Sequence, residues 1–155
     1  MSAVLAQPQL VLRPMLEADL TDVMMIEAAA YPFPWSQSIF QDCFKKNYYN
    51  YVLEDNQLLL GYGLMLIAHP LEAHILNICI HPDHQNCGYG HILLSYLIDM
   101  ARKKEVEEVL LEVRPSNKAA INLYHKIGFN QIGIRRNYYP AQGGRENALM
   151  FGLNL

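Results

Sequence analysis

Ile78-Cys79-Ile80-His81-Pro82-Asp83-His84-Gln85-Asn86-Cys87-Gly88-Tyr89-Gly90, followed at once by the apolar run Ile92-Leu93-Leu94, is the stretch that decides the fold. It reads as an apolar strand, a loop of turn formers, two glycines two apart and the first turn of a helix. That order is a recipe for holding a phosphate. Glycine lets the backbone approach an anion and take φ values that other residues avoid, and the free N–H groups and positive dipole end of the helix supply the attraction. A Gly-x-Gly pair alone also describes a plain turn, so its neighbours carry the decision.

Downstream, His91 to Lys104 predicts a helix with Leu93, Leu94, Leu97, Ile98 and Ala101 on one side and Arg102-Lys103-Lys104 at its negative end. Val106 to Val113 predicts a strand whose run Val109-Leu110-Leu111 points to burial on both faces, as in parallel pairing with the strand before the helix. Together they form a βαβ crossover. Pro115-Ser116-Asn117 opens another helix, carrying Ala120, Leu123 and Tyr124 and stopping at a left-handed Gly128. Phe129 to Arg135 and Ala148 to Leu153 read as closing strands around a loop, Asn137-Tyr138-Tyr139-Pro140-Ala141-Gln142-Gly143-Gly144.

Upstream, Leu10 to Met15 predicts a strand and Glu17 to Ala30 a helix that buries Leu20, Val23, Met24 and Ala28. Tyr31-Pro32-Phe33-Pro34-Trp35 is a stiff aromatic loop, and Ser36 is the expected N-cap of a helix to about Lys46. Tyr48 to Glu54, Leu58 to His69 and Ala73 to His81 predict three strands, whose short connections favour antiparallel neighbours.

At 155 residues the chain is expected to be one domain, 1–155, able to bury roughly two thirds of its unfolded surface without disulfides. A net charge of −3 speaks against nucleic acid and anionic membranes as partners and favours a basic one. Cys43, Cys79 and Cys87 form no CxxC pair, and no charged start precedes an apolar core, so reduced thiols in a cytoplasm are expected. The apolar stretch Leu58 to Ala68 is too short to span a bilayer. His81-x-x-His84 encloses Pro82 and has no third or fourth ligand nearby, so no metal is expected.

A dinucleotide-binding unit would bring a third glycine and sit early in a parallel series, and a Walker loop would continue into Gly-Lys-Ser/Thr. Neither pattern is present. Gln85-Asn86-Cys87-Gly88-Tyr89-Gly90 resembles the Gln/Arg-x-x-Gly-x-Gly/Ala pyrophosphate loop of the GNAT superfamily of acetyl-CoA-dependent N-acetyltransferases. Pro32-Phe33-Pro34-Trp35-Ser36, Asn77-Ile78, Leu111-Glu112-Val113-Arg114, Ser116-Asn117, Leu123-Tyr124, Gly128-Phe129 and Ile134-Arg135-Arg136-Asn137-Tyr138-Tyr139-Pro140 resemble the bacterial ribosomal-protein alanine N-acetyltransferase family.

The resemblance implies an α/β fold of the α+β type: one mixed, mostly antiparallel twisted sheet with helices on both faces. It implies acetyl-CoA as co-substrate and the N-terminal peptide of a small-subunit ribosomal protein as acceptor. Ile78, Cys79 and Ile80 match the strand that binds the pantetheine arm, and Asn86, Cys87, Gly88, Tyr89, Gly90 and His91 match the pyrophosphate loop. Asn117 matches a cofactor contact, Glu112 the general base and Tyr124 the general acid. Phe33, Trp35, Tyr138 and Tyr139 are expected to line the peptide groove. Relatives often carry Arg or Lys where this chain has Asn86 and Cys87, so its grip on phosphate is expected to rest on backbone N–H groups.

The same roles make chemical sense independently. Neutralising an α-amine of pKa near 8 at pH 7 costs about 1.4 kcal/mol, against about 4.6 kcal/mol for a lysine, so one carboxylate suffices for an α-amine. Glu112 ends an otherwise apolar strand, whose burial is expected to make it a better proton acceptor. A phenol such as Tyr124 keeps its proton at pH 7 for donation to a thiolate. Other acceptors, whether different protein N-termini or small amines, and a non-catalytic acyl-CoA-binding module remain alternatives, because a shared fold does not fix the acceptor.

Overall fold

The computed structural model describes residues 9–155. These form β1 (Leu10–Pro14), α1 (Leu20–Ala30), α2 (Gln37–Asp42), β2 (Tyr48–Asp55), β3 (Leu58–His69), β4 (Glu72–Ile80), α3 (Tyr89–Lys103), β5 (Glu108–Val113), α4 (Lys118–Ile127), β6 (Asn130–Ala141) and β7 (Gly144–Asn154). The strands make one seven-stranded sheet in the order β1-β2-β3-β4-β5-β7-β6. Only β4 and β5 pair in parallel, across the α3 crossover; the other pairs are antiparallel. The expected mixed sheet with helices on both faces is therefore what forms.

The two faces hold separate cores. On one, α1 and α2 cover Val52, Tyr62, Leu64 and Cys79 through Leu20, Val23, Ile26 and Phe40. On the other, α3 and α4 cover Met65, Ile75, Val109, Leu111 and Phe151 through Leu94, Leu97, Ile98, Ala101 and Tyr124. All five apolar positions predicted for α3 are buried. In β5 Val109 and Leu111 are buried and Leu110 only partly, so this strand alternates instead of being buried on both faces.

Three local expectations are corrected. Residues Glu17–Asp19 form a 3-10 turn before α1, because the Asp19 carboxylate takes both nitrogens of Arg13 at 2.8 Å and the Leu16 N–H at 2.7 Å. In α1, Leu20 and Val23 are buried and Met24 is half-buried against the same core, whereas Ala28 is exposed and Ile26 and Glu27 are buried in addition. The second helix does begin at Ser36, whose Oγ accepts from the Ile39 N–H, but stops at Asp42. There Asn50 Nδ2 donates to the Cys43 carbonyl at 2.7 Å, and Asn47 turns the chain with φ 73°.

The decisive irregularity is in β4. Its register with β3 runs Met65↔Ile75 and then Leu64↔Asn77, leaving Leu76 as a bulge. A bulge bends a strand and reverses which face the following side chains take. Pairing of β4 with β5 ends at this point, with Ile75↔Leu111 its last partner. Beyond it β4 leaves β5, and Asn77 and Cys79 turn to the α1 face. Glycine keeps the other side of this segment close: a Cβ at Gly61 would fall 2.5 Å from the Cys79 carbonyl oxygen.

The last hairpin is also corrected. Strand β6 continues through Tyr138-Tyr139-Pro140 to Ala141, where a loop was expected, and β7 starts at Gly144. Its register with β7 jumps between Arg135↔Ala148 and Tyr139↔Glu146, so residues 136–138 bulge out around Asn137 at φ 51°. The bulge is pinned by Asn147 Oδ1, which accepts from the Asn137 N–H, and by Arg145 Nε, which donates to the Asn137 carbonyl.

Candidate active site

A cleft of about 1080 Å³ opens where β4 and β5 part, reaching the start of α3 at one end and the loop after α1 at the other. Its size is at the upper end of small-molecule sites. Ile78, Cys79 and Ile80 form one wall, and Asn117, Ala120, Leu123 and Tyr124 of α4 with its N-cap form the opposite one.

The loop into α3 is built for an anion. Asn86 (φ 61°) and Gly88 (φ 84°) both take the left-handed conformation. Gly88 is the N-cap of a 15-residue helix and no side chain caps it. The first-turn N–H groups thus remain available beside the cleft, at the positive end of the dipole. A Cβ at Gly90 would lie 3.3 Å from Leu123 Cδ2, so a side chain there displaces Leu123 in the cleft wall. Gln85 folds back to donate to the Ile80 carbonyl at 3.0 Å, bracing the loop against β4. His91 lines the cleft, whereas Cys87 points to solvent and lies outside it.

Asn117 is at once helix cap and cleft wall, its Oδ1 accepting from the Ala120 N–H at 3.2 Å. Tyr124 is buried against Phe129 and Phe151, and burial pushes its phenol above the usual range. Across the gap Tyr31 donates to the Ile78 carbonyl at 2.9 Å, tying the loop after α1 to β4. Burial pushes the Cys79 thiol up to about 11, so it stays protonated at neutral pH.

Glu112 is on β5 one residue past the last β4 pairing, outside the cleft lining, and Arg135 Nε stands 3.0 Å from its Oε1. Its surroundings are therefore not the purely apolar ones expected, and Arg135 is not a free surface charge. Phe33 lines the cleft; Trp35, Tyr138 and Tyr139 do not. Trp35 packs on Phe40, with centroids 5.2 Å apart. Tyr138 is exposed under Arg135.

Two groups escaped the sequence. Arg114 sits over Tyr139 at 4.4 Å and Phe33 at 5.6 Å, donating to the Pro140 carbonyl and to Glu146. It joins the α1 loop to the β6–β7 hairpin. Burial raises the Glu146 carboxyl, but hydrogen bonds from Ser116 and Arg114 outweigh it and hold the group below the usual range. The second is Glu27, 2% exposed, whose Oε1 accepts from Tyr62 Oη at 2.6 Å and Asn77 Nδ2 at 2.8 Å and whose Oε2 accepts from the Trp35 N–H at 2.8 Å. A carboxylate in the Leu20-Val23-Glu27 stripe was the available signal, since that face must be buried.

An uncapped helix start beside a parted parallel strand pair defines a site for a ligand that carries both an anionic group and an extended arm. The chain belongs to the acetyltransferase (GNAT) family, whose model matches residues 18–129. Within that family it is 42% identical to the [ribosomal protein bS18]-alanine N-acetyltransferase of Escherichia coli (strain K12), over 87% of this chain and 90% of that one. The protein of the same description from Haemophilus influenzae is 40% identical, over 88% and 93%. The crystal structure of the ribosomal-protein-S18-alanine N-acetyltransferase from Escherichia coli superposes with a TM-score of 0.89 at 38% identity, covering 94% of both chains.

Proposed function

We propose that this chain, acting as a single domain in the cytoplasm, moves acetyl from acetyl-CoA onto the α-amine of an N-terminal alanine in a small-subunit ribosomal protein. The carrying observation is the continuity of the cleft from the uncapped N-terminus of α3, past the β4 edge freed at Leu76, to Tyr124 and Phe33. The descriptions of the relatives name bS18 as the first acceptor to test.

Acetyl-CoA, when bound, supplies a thioester carbon for the amine to attack. First-turn N–H groups from Gly88 to His91 hold the diphosphate, and Asn117 orients the arm beside α4. The backbone of Ile78, Cys79 and Ile80, released from β5, pairs with the pantetheine arm and offers N–H donors to the developing oxyanion. Glu112 takes the proton from the amine, directly or through a water, and Tyr124 gives its proton to the departing thiolate. Phe33 shapes the acceptor side from the cleft wall, with Tyr139 behind it across Arg114. The net charge of −3 favours a basic acceptor.

The test is CoA-thiol release with three acceptors: a basic peptide starting with Ala, the same peptide with a blocked N-terminus, and a small polyamine. Release with the free peptide alone is expected. Equal release with the blocked peptide would move the reaction to lysine, and release with the polyamine alone would make the acceptor a small amine.

A further inference from the structure

Glu27 is the buried charged residue of the α1 face, and its carboxylate collects partners from three elements besides α1. Tyr62 Oη comes from β3, Asn77 Nδ2 from β4 just past the bulge, and the Trp35 N–H from the loop that carries Phe33. Three donors satisfy a charge that burial would otherwise make costly. Two of the three adjoin the cleft: the Trp35 N–H belongs to the loop that carries Phe33, and Asn77 precedes Ile78, whereas Tyr62 is wholly buried in the core. Asn77 faces α1 only because Leu76 bulges, and the next residue, Ile78, is held by Tyr31 from the same loop. The loop contains Pro32 and Pro34 and has few backbone donors to fix it, so the Trp35 N–H is a large share of its anchorage.

We infer that Glu27 is a positioning residue that sets the Tyr31–Trp35 loop against the freed end of β4, and so sets the affinity for the acceptor and not for acetyl-CoA. The peptide half of the inference rests on the function proposed above. Of the three partners only the Trp35 N–H is a fixed donor, since the Tyr62 hydroxyl and the Asn77 amide can turn to accept from a glutamine NH2, so breaking the loop's bond takes a side chain with no acceptor at all.

The test uses Glu27→Leu, which removes the acceptor of the Trp35 N–H, with Glu27→Asp as a second variant that keeps the charge but shortens its reach should the first fail to fold. The KM for an Ala-starting basic peptide is expected to rise about tenfold, from loss of one charge-assisted hydrogen bond, while the KM for acetyl-CoA stays within about twofold. Trp35 is the chain's single tryptophan, so its acrylamide quenching reports the loop without turnover and is expected to increase. Tyr62→Phe serves as control, because it loses a buried bond yet leaves the Trp35 N–H on Oε2; peptide KM and quenching are expected to stay near wild type. A variant that loses thermal stability with unchanged peptide KM and quenching would overturn the inference, as would an equal shift in both KM values or the same shift in Tyr62→Phe. If the wild type does not acetylate the peptide, the proposed acceptor is wrong, and the quenching measurement still decides whether Glu27 holds the loop.

Discussion

Arg135 Nε lies 3.0 Å from Glu112 Oε1, joining β6 to β5 across the intervening strand β7. The guanidinium side chain is 54% exposed and the carboxylate 25%. An ion pair this open to water contributes about 1 kcal/mol or less, so Arg135→Ala is expected to change kcat by no more than about fivefold. Glu112→Gln removes the proposed proton acceptor and is expected to lower kcat by about 100-fold or more, with acetyl-CoA affinity nearly intact. Equal losses in steady-state assays of the two variants would assign the effect to the pair and not to the carboxylate.

Burial raises the Tyr124 phenol above its usual value, so it remains protonated throughout the neutral and mildly alkaline range. A general acid of this kind predicts no fall in kcat as the pH rises from 7 to about 10, the ordinary phenol value. Tyr124→Phe is expected to lower kcat by about 100-fold. A kcat profile for the wild type that declines with a midpoint near pH 8 would exclude Tyr124 as the acid.

The phosphate loop separates two requirements that look alike in sequence. Asn86 needs a left-handed backbone, which glycine also provides, so Asn86→Gly is expected to leave the acetyl-CoA Kd within about twofold. Gly90 needs room against Leu123, and Gly90→Val is expected to raise that Kd about tenfold or more through overpacking at the start of α3. Isothermal titration with acetyl-CoA checks both.

Acid stability follows from Asp19 and Glu146. Hydrogen bonding from Arg13 holds Asp19 below the usual carboxylate range despite burial, and Ser116 and Arg114 do so for Glu146. A depressed folded pKa gives stability that is fully present above the unfolded value near 4 and lost as pH falls through the lower folded value. Urea midpoints are therefore expected to drop between about pH 5 and 2. The double variant Asp19→Asn/Glu146→Gln is expected to be less stable at pH 7 and to lose less on acidification; an undiminished acid loss would place its origin elsewhere.

Local signals marked most of the elements, because strand alternation, the α3 stripe and the Ser36, Asn117 and Gly128 caps act within a few residues of themselves. The α2 end and the extent of β6 were not legible in this way. Asn50 captures Cys43 from the next strand, and Tyr139 to Ala141 are held in β6 by pairing with β7, which outweighs the turn character of Asn137 and Pro140.

By itself the sequence determined a strand, glycine loop and helix in the order that suits an anion, and which family's motifs surround it, since glycine spacing and a following helix are short-range facts. Only the tertiary structure decided what makes that site usable. The Leu76 bulge ends the β4–β5 pairing, turns Asn77 to Glu27 and opens the gap beside Tyr124. The same long-range packing brings Arg135 to Glu112 and Arg114 between Phe33 and Tyr139. These relations depend on register between strands far apart in the chain, and one extra residue in a ladder reverses every face that follows it.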